Sequence, residues 1–177
     1  MTPRRLAPHP ASKGAEGLSL EVSATWAGDD LVLSYRLTGP VDLVLMPGGT
    51  PGDHRDGLWR TTCFEAFLQP KGAGAYFEFN FAPAGEWAAY SFTAPREGMA
   101  PLEISPPEIR VERADDCLTL EASFRPPACA VFNVGLTAVI ESIDGEISWW
   151  ALAHPSEKPD FHHPDSFLYD LTRASVP

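Results

Sequence analysis

From residue 18 onward, apolar side chains recur at every second position in run after run, a period that suits strands and not helices. In DLVLSYRLT, Leu31, Leu33, Tyr35 and Leu37 share one face, and Val32, Ser34, Arg36 and Thr38 share the other. TTCFEAFLQ alternates Phe64, Ala66 and Leu68 with Cys63, Glu65 and Phe67, and AYFEFNFA alternates Phe77, Phe79 and Phe81 with Tyr76, Glu78 and Asn80. CLTLEASF and VFNVGLTAVIE repeat the pattern, the latter with Phe132, Val134, Leu136, Ala138 and Ile140 on its apolar face. No amphipathic helix pattern emerges, and 18 prolines disfavour one. Turn signals such as AGDD, QPKGAG, ADDC and IDGE separate the runs. Roughly nine to eleven short strands at this spacing predict an all-β fold, an antiparallel β-sandwich of jelly-roll-like form. The expected division is a loose lead-in over 1–17, one ligand-binding sandwich over 18–172 and a tail over 173–177. The Pro-rich stretch 93–108 reads as a crossing between the halves of that sandwich.

Composition narrows the function. A net charge of -11 argues against nucleic acid, whose phosphates need clustered Lys and Arg, and disfavours anionic membrane surfaces. No stretch approaches the ~18 apolar residues of a membrane helix, and no secretory signal is visible at the start. Cys63, Cys117 and Cys129 are odd in number and lack CxxC spacing, which predicts reduced thiols and a cytoplasmic location. A neutral or cationic small molecule or a protein partner stays open, as does a homo-oligomer.

Strand parity selects the candidate residues. With Phe64, Phe79 and their neighbours inward, Trp59, Glu65, Glu78 and Asn80 face the other way. In SWWALAHPSEKPDFHHPDSF, placing Ile147, Trp149 and Ala151 inward sets Ser148, Trp150 and His154 outward. Aromatic groups mixed with carboxylate, amide and imidazole suit a small-ligand surface. Sugars ask for that mixture, since their C–H faces stack on indole and their hydroxyls bond polar groups. Trp59, Arg60, Glu65, Glu78, Asn80, Trp150 and His154 supply it, with His162 in the Pro-rich loop that walls the site. A plainer account also fits: Trp59 and Trp150 cover sandwich edges, and the carboxylates pair with Arg36 or Arg60.

Other chemistries find less support. His154, Asp160, His162 and His163 are enough ligands for a transition metal, but HExxH spacing is missing. A structural calcium held by loop oxygens, for instance around Asp53 and Asp56, stays open. Ser148, His154 and Asp160 come without a GxSxG elbow, and PGGTPG is no phosphate loop. Glu65 and Glu78 across neighbouring strands are the pair a glycosidase would use, the one catalytic alternative.

Three blocks, DGLWRTTCFEAFLQP, YFEFNFAPAGEWAAYSF and SWWALAHPSEKPDFHHPDSF, resemble the bacterial DOMON-like proteins, which are related to family 9 carbohydrate-binding modules. Glu65 and Phe67 match the end of that superfamily's acidic strand motif, while Thr62 stands where many relatives carry its aspartate. The resemblance implies a β-sandwich that binds sugars or haem. For sugar it implies two clasping tryptophans, Trp59 and Trp150 by order. For haem it implies an axial Met46 with His162 or His163. The expectation is therefore a non-catalytic domain that binds a carbohydrate or sugar derivative. A haem-binding redox domain and a protein-interaction domain without small ligand are the alternatives.

Overall fold

The computed structural model describes residues 2–173, and among these it forms twelve strands. One sheet holds β1 (Arg4–Pro8), β2 (Ser19–Ala27), β3 (Asp30–Thr38), β9 (Cys117–Phe124) and β8 (Glu108–Ala114), in that spatial order. The other runs β7 (Ala100–Pro101), β6 (Trp87–Phe92), β5 (Tyr76–Phe81), β4 (Cys63–Pro70), β10 (Val131–Glu141) and β11 (Ile147–Ala151). β12 (Tyr169–Thr172) pairs the first half of β10 alongside β11. Every ladder between strands is antiparallel.

The alternating apolar faces meet between the sheets. Leu31, Leu33, Tyr35 and Leu37 pack there with Phe64, Ala66, Leu68, Phe79, Phe81 and the inward residues of β10, all fully or almost fully buried. The Tyr35 hydroxyl crosses the interface to donate to the Glu65 carbonyl at 2.7 Å. After β7, residues 102–107 carry the chain from one sheet to the other.

The lead-in is not loose throughout. Residues 4–6 pair with β2 and residues 7–8 with β11, so β1 stitches the two sheets together. Leu6, 1% exposed, is its single anchor in the core. One apolar residue in RRLAP gives no periodicity, so the strand is set by its two partners rather than by its own pattern. The tail expected at 173–177 falls, beyond Arg173, outside the described residues.

The outer face of the larger sheet carries a second apolar cluster, including Leu58, Phe67, Tyr76, Tyr90, Phe161 and Phe167. Gly135 on β10 lies opposite Phe67, and the Phe167 ring stacks on Phe67 with centroids 5.8 Å apart. A Cβ at Gly135 would stand 2.7 Å from Cδ1 of Phe167. Gly135→Ala is therefore expected to cost about 1–3 kcal/mol through overpacking. Urea unfolding checks this; an unchanged midpoint would show that the covering segment yields freely.

Candidate functional site

A cleft of about 310 Å³ opens on that outer face. Alternate positions of neighbouring strands supply its floor: Glu65 from β4, Glu78 from β5, Phe92 from β6, Val139 from β10 and Trp149 from β11. Irregular segments supply the walls. Trp59 stands in the 3-10 turn Leu58–Arg60, its ring edge-on to Tyr90 at 5.6 Å. Arg96 and Met99 come from the segment after β6, and Pro159, Phe161 and His162 from the Pro-rich segment before β12.

The two carboxyl groups sit at the bottom, 2% and 3% exposed. Glu65 faces Thr137 across the β4–β10 ladder and accepts from its hydroxyl at 3.5 Å through Oε2. Oε1 of Glu65 is buried with no hydrogen-bond partner among the described residues. Glu78 accepts from the Asn80 amide at 2.8 Å. Burial, reinforced by the nearby charge of Glu78, pushes Glu65 well above the usual carboxylate range. Burial likewise raises Glu78 to about 7, against the pull of the Asn80 amide and Arg96.

The rim is held by a hydrogen-bonded chain. Arg96 adopts a left-handed backbone (φ 60°) and its N–H donates to the Tyr76 hydroxyl at 3.1 Å. That hydroxyl lies 2.7 Å from Nδ1 of His162. Burial and then the charge of Arg96 push His162 down to about 4, so its ring is neutral at ordinary pH. A neutral ring accepting from Tyr76 at Nδ1 keeps its hydrogen on Nε2, 3.8 Å from Oε2 of Glu78. Asp160 Oδ1 accepts from Arg96 at 2.7 and 3.2 Å and from the His162 backbone N–H at 3.1 Å, which pins the rim loops to each other.

These shifts fix the sign of a pH dependence. A carboxyl raised by folding holds more protons folded than unfolded, so its stabilising contribution is lost as pH climbs through the folded value. For Glu78 that window runs from 4.5 through about 7, with Glu65 acting in the same sense. His162 acts oppositely, but only as pH falls from 6.5 towards 4. The melting temperature is thus expected to fall as pH rises from 6.5 past 7, less steeply in Glu78→Gln. A rising melting temperature there, or equal slopes, would contradict this assignment.

Sequence comparison gives no identification: no protein-family model matches the chain, and no curated protein matches it in sequence. Structure comparison does place the architecture. A family 9 carbohydrate-binding module from Caldicellulosiruptor kristjanssonii, solved with cellotriose, superposes with a TM-score of 0.67. The fold is that of the family 9 modules. That match covers 99% of this chain and 87% of the module at 8% identity. A family 9 module from the same organism, solved with glucose, gives 0.63 over 97% and 87% at 8% identity. A candidate carbohydrate-binding protein from Bacteroides uniformis gives 0.66 over 94% and 85% at 13% identity. Identities this low carry the fold alone.

Within this family 9 fold, four of the residues singled out in the sequence, Trp59, Glu65, Glu78 and His162, line this cleft together. Asn80 lies fully buried beside it, bonded to Glu78. Arg60 is exposed and does not line it. His154 is held apart, Nε2 on the Ala7 carbonyl at 2.8 Å and its ring edge-on to His9.

The adjacent tryptophans are reversed from expectation. Trp150 is 2% exposed in the core between the sheets, its indole N–H donating to Ser148 Oγ at 2.9 Å, and Trp149 lines the cleft. The cause is register: Trp150 pairs with Ala138 and Trp149 with Val139, and cross-strand partners share a face. Ala138 was legible as inward, so tracing the hairpin through IDGE to β11 would have found this.

Other expectations fare differently. His163 accepts from the Asp165 backbone N–H to cap the turn Pro164–Ser166. Met46 packs against the core between the sheets, whereas His162 lines the cleft outside it, so no shared slot holds both. Ser148 is buried beside Trp150 and Asp160 binds Arg96, so Ser148, His154 and Asp160 have separate partners. Asp56 accepts from the Tyr90 hydroxyl at 2.7 Å. Among the described residues no group of three or more His, Cys, Asp or Glu side chains is placed to hold a metal ion.

Proposed function

We propose that the protein is a non-catalytic, DOMON-like binding domain whose ligand is a carbohydrate or sugar derivative. One observation carries this reading: two tryptophans and two buried carboxyl groups line the same cleft. Trp59 and Trp149 would stack on the apolar faces of a sugar ring, and Glu65, Glu78 and His162 would bond its hydroxyls. A volume of about 310 Å³ suits a small ligand. The solved family 9 complexes with cellotriose and glucose support the choice of ligand class. Three free cysteines agree with work in a reducing cytoplasm. A thermal-shift series with glucose, other monosaccharides and cellotriose tests the proposal. A bound sugar at 100 times its Kd adds about 2.7 kcal/mol of apparent stability. The expected shift disappears in Trp59→Ala, and a series without any shift would refute the reading.

A second reading rests on the convergence of Glu65 and Glu78. A hydrolase needs one protonated and one ionised carboxyl flanking the bond it breaks. Burial raises both carboxyls, Glu78 to about 7, which favours a proton held on the pair around neutrality. Release of reducing ends from cellotriose, abolished in Glu78→Gln, would establish it. Binding without turnover is the result expected here.

A further inference from the structure

We propose that the cleft selects sugars that carry a protonated amine, an inference that rests on the carbohydrate reading and narrows it. Besides His162, the ionisable side chains lining the cleft are Glu65, Glu78 and Arg96. Arg96 is already engaged, since Nε and Nη2 both donate to Asp160 Oδ1. His162 adds no charge, because its ring is neutral and Nδ1 is taken by Tyr76. The Tyr90 hydroxyl is committed to Asp56. The floor therefore presents two carboxyl groups whose partners are a threonine hydroxyl and an asparagine amide. Neither partner is a cation.

Oε1 of Glu65 makes the asymmetry specific. It is buried, belongs to a cleft-lining residue, and has no hydrogen-bond partner among the described residues. A buried acceptor left unmade is costly, which favours any ligand that supplies the missing donor. Register places Phe67 opposite Glu78 and Asn80 opposite Glu65, so the two carboxyl-bearing residues are diagonal neighbours on adjacent strands. An ammonium brings three N–H donors and a full positive charge, enough to bond both and to favour the ionised forms that burial opposes. A hydroxyl brings one donor and no charge. Trp59, Trp149 and Phe92 make the lining aromatic, which favours a cation further. A quaternary ammonium lacks the N–H that Oε1 needs. The net charge of -11 draws cations towards the protein and repels acidic sugars.

Calorimetric titration of the full chain with glucosamine, glucose, N-acetylglucosamine and cellotriose, near neutral pH and at low salt, tests this. Glucosamine is expected to bind at least about tenfold more tightly than glucose or N-acetylglucosamine. In Glu65→Gln the ratio of glucosamine to glucose affinity should fall towards one. Circular-dichroism melting establishes that the variant is folded, and Glu78→Gln gives the same ratio independently. Equal affinity for glucose and glucosamine would overturn the amine preference and leave the carbohydrate reading standing. Preference for the N-acetylated sugar would do the same. A glucosamine preference unchanged in both variants would remove these carboxyls from the account. If no sugar in the series binds, both readings fail together.

Discussion

Trp150→Ala is expected to lower the free energy of unfolding by about 3–5 kcal/mol. The indole is 2% exposed and packs in the core between the sheets, opposite Ala138. Its N–H donates to Ser148 Oγ at 2.9 Å, and Ser148 in turn donates to the Ile140 carbonyl at 3.2 Å. Truncation removes the largest side chain of this region, leaves a cavity the two sheets cannot close, and takes a donor from a buried hydroxyl. Denaturant unfolding of wild type and variant measures the loss. A difference below about 1 kcal/mol would mean that the indole does not fill the core and that the assigned register of β11 is wrong.

Trp149→Ala should behave in the opposite way. Its side chain lines the cleft, while its backbone is fixed independently: the carbonyl accepts from the His9 N–H at 2.8 Å and the N–H donates to Ser12 Oγ at 3.0 Å. Losing the ring therefore leaves β11 in place, and stability should fall by less than about 1 kcal/mol. Sugar affinity should fall at least about tenfold, the loss of one aromatic wall. Calorimetric titration with the tightest-binding sugar checks it. Unchanged affinity would remove Trp149 from the site.

The contrast between these two neighbours shows where a sequence reading succeeds and where it stops. Parity alone assigned the faces of β3, β4, β5, β9 and β10, because each run mixes clearly apolar with clearly polar positions. β11 gives no such contrast: in SWWA either indole can go inward, and the pairing to β10 decides. Glu65 and Glu78 were legible as outward groups because they alternate with inward phenylalanines, whereas Trp59 shares only their parity and stands in the 3-10 turn before β4. The rim was legible only in the Pro-rich loop that carries His162. Arg96 and Met99 come from an irregular segment whose position depends on Asp160, Tyr76 and the left-handed backbone at Arg96. β1 escaped for a related reason, since its place between two sheets is a property of its partners.

Sugar bound between Trp59 and Trp149 would be reported most directly by the indole N–H resonances. The chain has 5 tryptophans, so it gives a small set of indole signals assignable by single Trp→Phe substitutions. Titration with glucosamine, glucose and cellotriose should shift the Trp59 and Trp149 signals in a saturable way. The signals of Trp150 and Trp26, both away from the cleft, should stay in place. Shifts confined to other tryptophans, or none with any of these sugars, would contradict the account.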